Sequence, residues 1–256
     1  MGHIRKLATG IGVRVRATNA EREGASYIRG RFRHFGYRTK IQKFDVDGGR
    51  SRNVVAWWPG SVRHGVVVGA HMDSVAGSPG ANDNASGIAV TLELARLSAG
   101  KKPARFVRWV AFGSEEYGSN GRHHVGSQVY VNRMGDKGRR RLAGMLSVDM
   151  VADGRPLLVG TSGIGPEVAA RHAYERMRRV ARTEYRTFCD CSDNGPFERA
   201  GIPAAFAWSG YEPDYHESTD TAPNLRKRHV KRTGRTAKAF VTSINRKVLR
   251  RFRRAR

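Results

Sequence analysis

The chain has 256 residues, 39% of them hydrophobic, with 47 Lys and Arg against 22 Asp and Glu and a formal net charge of +25. That length and apolar content suffice for a sizeable buried core. No apolar run approaches the ~18 residues of a membrane-spanning helix, which excludes such a span. The opening stretch MGHIRKLATGIGVRV lacks the apolar core of a secretory leader. As written, the sequence is therefore expected to stay in the cytoplasm, with secretion the alternative if the start is truncated or misassigned.

In chain order, Thr18 and Glu21 form a capping-box pair that opens a helix. Ala25, Ile28, Phe32 and Phe35 recur at helical spacing, and Gly36 fits the C-terminal cap. Strands are expected at residues 40–46, 53–58 and 65–70, then a helix over 85–98 with Ile88, Leu92 and Leu97 buried. A strand over 105–112, a helix over 126–134 and strands over 142–151 and 156–160 follow. A helix over 167–180 and a strand over 204–208 come next, before a basic helix from Pro223 to about Leu249. Strands alternating with helices imply an α/β sandwich. No repeat or low-complexity linker divides the chain, so a single domain over residues 1–256 is expected, with a basic helix and tail from about 223.

Four segments hold side chains that a packed core does not require. Residues 69–87, GAHMDSVAGSPGANDNASG, follow the apolar run Val66–Val68 and place His71, Asp73 and Asp83 in a loop of Gly, Pro, Ser and Asn. Imidazole and carboxylate suit zinc, and an Asp two residues after a His can orient the ring of a metal-bound His. Glu115 and Glu116 come just past the end of a core strand, pointing different ways. Asp149 interrupts an apolar strand, where an unpartnered charge is costly. His216 lies beside Tyr215 in DYHESTD. Each has a plain structural reading when taken singly; Asn-Asp-Asn, for example, favours turns. All of them falling in order, at strand ends or in loops, is where open α/β sheets carry their sites.

Together the segments resemble the dinuclear zinc aminopeptidase family, the leucine-type and aminopeptidase Y-like exopeptidases. The matching residues are His71-Met72-Asp73, the run 79–87, Glu115–Gly118, Asp149, Ser192-Asp193-Asn194 near Gly201-Ile202-Pro203, and His216 before Asp220-Thr221. The resemblance covers most of the chain, to about Asn224. It implies a zinc-exopeptidase fold: a three-layer sandwich whose mixed, mostly parallel sheet has helices on both faces. It implies two zinc ions, with cobalt or manganese as alternatives. His71 and Asp149 would hold one, Glu116 and His216 the other, and Asp83 would bridge them. Asp73 would orient His71. A cis peptide after the bridging Asp is expected at Asp83–Asn84. Glu115 would act as general base on a water shared by the metals, and Tyr215 would hydrogen-bond the oxyanion. The implied substrate is a peptide with a free N-terminus.

Two features depart from the family pattern. Asn194 stands where a His is usual, and the stretch between Glu116 and Gly126-Ser127 is longer than usual. That stretch includes His123 and His124, which are read as residues at the cleft rim at most. Cys189 and Cys191 are read as free thiols, compatible with a reducing compartment, because a bridge between residues two apart is strained. A monomer is expected. The basic C-terminal segment lacks any nucleic-acid motif, so its expected partner is at most a non-specific anion. Two other classes remain open on these residues: another enzyme of the fold (carboxypeptidase, dipeptidase or glutaminyl cyclase), and a non-catalytic binding module that works through its basic surface. The presence of both His71 and Asp149 argues against the cyclase.

Overall fold

The computed structural model describes residues 1–118, 120–152 and 156–255. Eight strands form one mixed sheet: β1 (Arg38–Val46), β2 (Gly49–Trp57), β3 (Val66–His71), β4 (Val107–Phe112), β5 (Gly144–Val148), β6 (Leu157–Thr161), β7 (Thr183–Thr187) and β8 (Ala204–Trp208). Their spatial order is β1-β2-β4-β3-β5-β8-β6-β7. The four central strands, β4, β3, β5 and β8, are mutually parallel. β1 and β2 join one side antiparallel, and β6 runs antiparallel to β8 on the other. All four central strands thus end along the same edge, the one that carries the site.

The helices are α1 (Gly2–Ile4), which winds on through Arg5–Ile11, then α2 (Asn19–His34), α3 (Gly87–Ser98), α4 (Val125–Asn132), α5 (Gly135–Arg141), α6 (Val168–Met177), α7 (Asn194–Arg199), α8 (Lys227–Ser243) and α9 (Arg246–Arg254). The period-2 alternation of the strands divides the core between the two faces. Val66, Val68, Trp109, Ala111, Leu146, Val148, Ala205 and Ala207 pack with α2, α3, α6 and α8. Their neighbours Val67, Val110, Phe112, Met145 and Ala204 pack with Tyr130 and Val131 of α4 and Phe197 of α7. Near-continuous apolar runs in the central strands follow, because both faces are covered.

Helix α2 starts as its sequence demands. Thr18 Oγ1 accepts from the Glu21 amide, while Glu21 reaches back to the amide of Ala17, one residue before the cap. Gly36 closes it with φ 89°, and the Tyr37 amide donates to Phe32 O at 3.1 Å.

Several expected elements differ in extent. The strand expected to reach residue 151 stops at Val148, because the Asp149 amide still pairs with Ala207 but Met150 turns away at φ 46°. The C-terminal helix is two helices. Asn245 has an extended backbone, and its side chain accepts from the Val248 amide at 3.1 Å, capping α9 and ending the run of α8. The short helices α5 and α7 and the edge strand β7 escape the periodicity reading, as does the N-terminal helical segment.

No helix among the described residues is long and apolar enough to cross a membrane. Helix α8 lays Ala237, Phe240 and Val241 into the core, while Lys227, Arg228, Lys231, Arg235 and Lys238 face solvent. Phe240→Ala is expected to cost about 3–5 kcal/mol, read as a lower urea midpoint. Lys238→Ala should stay within ~0.5 kcal/mol. Equal effects would show that α8 does not dock through its apolar face.

Candidate metal centre

Each central strand delivers one or two side chains to a single point beyond its carboxyl end. β3 ends in His71, and the chain beyond β4 supplies Glu115 and Glu116. Asp149 follows β5, and His216 hangs on the loop beyond β8. Asp83 comes from the loop between β3 and α3. His71 Nε2 lies 3.0 Å from Asp83 Oδ1 and 3.3 Å from Asp149 Oδ1. His216 Nε2 lies 3.2 Å from Asp83 Oδ2 and 3.3 Å from Glu116 Oε2. Asp83 therefore faces one imidazole with each oxygen, and all five expected ligands converge around it. Glu115 adjoins them, with Oε2 3.9 Å from His71 Nε2, and by position His71, Glu115 and Asp149 could also share an ion.

The Asp83 loop is held by its neighbours. The Asp220 carboxylate accepts from the Asn82 amide at 2.6 Å and the Asp83 amide at 3.0 Å. Asn84 Nδ2 donates to Val148 O, and its Oδ1 accepts from the Gly87 amide. The Asp83–Asn84 peptide is cis. At Gly80, with φ 60°, a Cβ would stand 2.3 Å from Asp83 O, so only glycine fits there. Arg14, fully buried, donates to five backbone carbonyls, those of Leu7, Gly12, Met72, Pro79 and Gly80. Burial lowers its pKa to about 10, against the pull of Asp73, Asp220 and Asp83. Its guanidinium ties the start of the loop to the end of β3.

Asp73 acts more on the glutamates than on the ring. Its two oxygens accept from the Glu115 and Glu116 amides, each at 3.1 Å. His71 Nδ1 is closer to the Asp73 backbone carbonyl, at 3.2 Å, than to its carboxylate, at 3.7 Å. Ring orientation thus comes mainly from the main chain. The second oxygen of Asp149 is taken by the Ser192 hydroxyl at 2.8 Å. The Tyr215 ring stacks on His216 at 3.8 Å, and burial raises the phenol pKa. Asn194 is turned away from the cluster, its Nδ2 donating to Ser162 Oγ and Glu198 Oε1.

One residue of the expected rim pair lies elsewhere than the sequence suggests. His123 does sit at the rim, stacked on Tyr117. His124 does not: it is 3% exposed, with Nε2 3.0 Å from Glu115 Oε1. The loop returns to Ser114 and Glu115 and folds it inward, a consequence that no local pattern announces. Cys189 and Cys191 are joined as a disulfide, their Cα atoms 5.1 Å apart, within bridging range. This removes the argument from free thiols for a reducing compartment.

The electrostatics call for positive charge. Burial favours neutral imidazole at His71, yet the facing Asp149 and Glu115 raise its pKa well above the ordinary value. Burial likewise opposes charge on His216, but Asp83 and Glu116 raise it to about 10. Burial pushes Glu115 and Glu116 up, and like charges push them further. Protons thus stand in for missing cationic charge. Glu116 Oε1, Asp149 Oδ1 and His216 Nε2 are buried and make no hydrogen bond among the described residues. Buried groups left over in this way, within a set of two imidazoles and three carboxylates, fit zinc. His71, Asp83 and Asp149 can hold metal on one side of the bridge, and Glu116, Asp83 and His216 on the other.

Fold and cluster together define an open α/β protein with a metal centre at the carboxyl ends of its parallel strands. Residues 53–241 match Peptidase family M28, and the chain belongs to that family. It is 34% identical over 206 residues to leupeptin-inactivating enzyme 1 of Streptomyces exfoliatus, covering 78% of this chain and 44% of that protein. It is 32% identical over 200 residues to the aminopeptidase YwaD of Bacillus subtilis, covering 72% and 42% respectively. The chain thus spans less than half the length of these relatives. Its fold is that of a zinc aminopeptidase from Bacillus subtilis, with a TM-score of 0.87, 20% identity, and 96% of this chain and 94% of the other covered.

Asp220 has no place in the expected ligand set, yet it fixes the loop that carries Asp83. Asp220→Ala leaves two buried amides unpaired and is expected to weaken zinc binding about 10–100-fold, measured by competition with a chelator. Unchanged affinity would show that the loop holds its shape without this carboxylate.

Proposed function

We propose that the chain is a zinc-dependent aminopeptidase that removes single residues from peptide N-termini at a centre of two metal ions. The observation that carries this reading is the convergence of His71, Asp149, Glu116 and His216 on the two oxygens of Asp83. The family and the relatives support peptide-bond hydrolysis. Zinc, when bound, supplies Lewis-acid polarisation of a carbonyl and lowers the pKa of a water.

The chain's own residues have distinct tasks. Asp83, placed between the imidazoles, is the bridging ligand. Glu115 makes no bridge and is the general base: it takes a proton from the attacking water and hands it to the leaving amine. Asp73 fixes the backbone of Glu115 and Glu116, so that the base and the ligand next to it cannot exchange roles. Tyr215, braced against His216, presents its hydroxyl as a donor to the oxyanion. The surplus of buried carboxylates supplies the counter-charge for a free α-amine, which is how an exopeptidase measures from the chain end.

The test is hydrolysis of aminoacyl-p-nitroanilides and their N-acetylated forms, before and after chelation and zinc add-back. Cleavage of the free-amine substrates alone, restored by zinc, is expected. Cleavage of the acetylated set, or none with metal bound, would overturn the reading. Glu115→Ala should lower kcat by roughly 10²–10⁴-fold at unchanged zinc content. Equal loss of zinc and activity would make Glu115 a ligand.

The exposed cations of α8 continue into Arg246, Lys247, Arg250, Arg251 and Arg254 of α9, and neither helix contains an acidic residue. Arg253 bonds His64 O and Arg141 O just before β3 and β5, which sets α9 at the amino ends of the strands, away from the metal centre. This surface supports weak, sequence-independent association with polyanions. Retention on heparin should fall steeply with salt and weaken in a Lys247→Glu/Arg250→Glu/Arg254→Glu variant. Salt-independent retention would contradict it.

A further inference from the structure

The far end of the loop between Glu116 and α4 returns to the centre. The His124 amide donates to Glu115 O at 2.7 Å, and the Val125 amide to Ser114 O at 2.9 Å. Arg16, itself buried, donates through one nitrogen to Glu116 O at 2.8 Å and to Arg122 O at 2.6 Å, closing the loop at its neck. The same guanidinium pairs with Asp47. These long-range bonds set His124 opposite Glu115 in a left-handed backbone conformation, φ 52°. His is one of the few side chains enriched there.

The ring then has one evident partner. Its Nε2 is 3.0 Å from Glu115 Oε1, while Glu115 Oε2 points to the metal cluster, 3.9 Å from His71 Nε2. Burial holds the imidazole neutral, its pKa lowered to about 4. A neutral ring has one N–H, and once metal supplies the positive charge and Glu115 is ionised, a carboxylate oxygen at this distance accepts it from Nε2. The two oxygens of Glu115 are therefore not equivalent: Oε1 lies against His124 Nε2, and Oε2 lies on the side of His71.

We propose that His124 is a positioning residue that binds Glu115 Oε1 through its Nε2–H and so presents Oε2 as the oxygen that accepts the proton. The proposal rests on Glu115 being the base. Neither the ligand set nor the base requires an imidazole at this place. It comes from this loop, in a chain whose residue 194 is an Asn turned to Ser162 and Glu198.

The test compares two variants with equal backbone strain. His124→Gln keeps an N–H at the reach of Nε2, and His124→Leu does not. In the zinc-loaded protein, His124→Leu is expected to lower kcat roughly 10–100-fold through loss of orientation, with KM and zinc content unchanged. His124→Gln should recover most of that loss. A second readout does not need turnover. The wild type should show a slowly exchanging imidazole N–H resonance that His124→Leu removes and Glu115→Ala exposes to exchange.

Equal kcat values for the Gln and Leu variants, or an N–H resonance that ignores Glu115→Ala, would overturn the positioning role. Wild-type protein inert toward every aminoacyl substrate would instead overturn the aminopeptidase reading. In that event the resonance still decides whether His124 holds Glu115.

Discussion

Four carboxylates buried around two imidazoles form the constraint on which this structure depends. Asp83, Glu115, Glu116 and Asp149 are each less than a tenth exposed, and no arginine or lysine reaches them directly among the described contacts. Buried charge of one sign is tolerable only with a compensating cation. In the protein alone, raised imidazole and carboxyl pKa values supply part of that charge as protons. Metal supplies it without a proton, and leaves each carboxylate ionised to act. The cluster is thus a poor core and a good metal centre, and the surrounding fold serves to hold it open.

Holding it is the work of residues outside the ligand set. Four parallel strands place their ends on one edge, which brings residues from positions 71 to 216 within a few ångströms. Arg14 fastens five carbonyls around the Asp83 loop. Asp220 receives its two leading amides, and Asp73 receives those of Glu115 and Glu116. Each of these charges is directed at backbone groups, so each fixes geometry. The basic helices α8 and α9 meet solvent with no acid of their own, and their apolar stripes join the core; of the two, α9 lies at the amino ends of the strands.

The residues of the cluster were legible in the sequence because a metal requires particular side chains, and because those side chains interrupt patterns that packing would otherwise set. Asp149 after an apolar strand and His71 at the end of another stand out for this reason. The central strands were legible because double burial makes them continuously apolar. Arg14, Asp220 and His124 were not assigned roles, since what they do depends on contacts 58 to 138 residues away or on the path of a loop. His124 shows this most plainly: beside His123 it looks like a surface pair, and only the return of the chain to Glu115 separates one ring from the other. The division of α8 from α9 hung on a single Asn cap inside a basic run. The Cys189–Cys191 bridge went against the expectation from spacing, because the local chain brings the two Cα atoms within range.

The most direct test is a crystal structure of the zinc-loaded protein with anomalous data collected at the zinc edge. The account predicts two peaks, one on each side of the Asp83 carboxylate, with His71 and Asp149 at one and Glu116 and His216 at the other, and with Glu115 outside both coordination spheres. A single peak, or Glu115 bound to either ion, would contradict it.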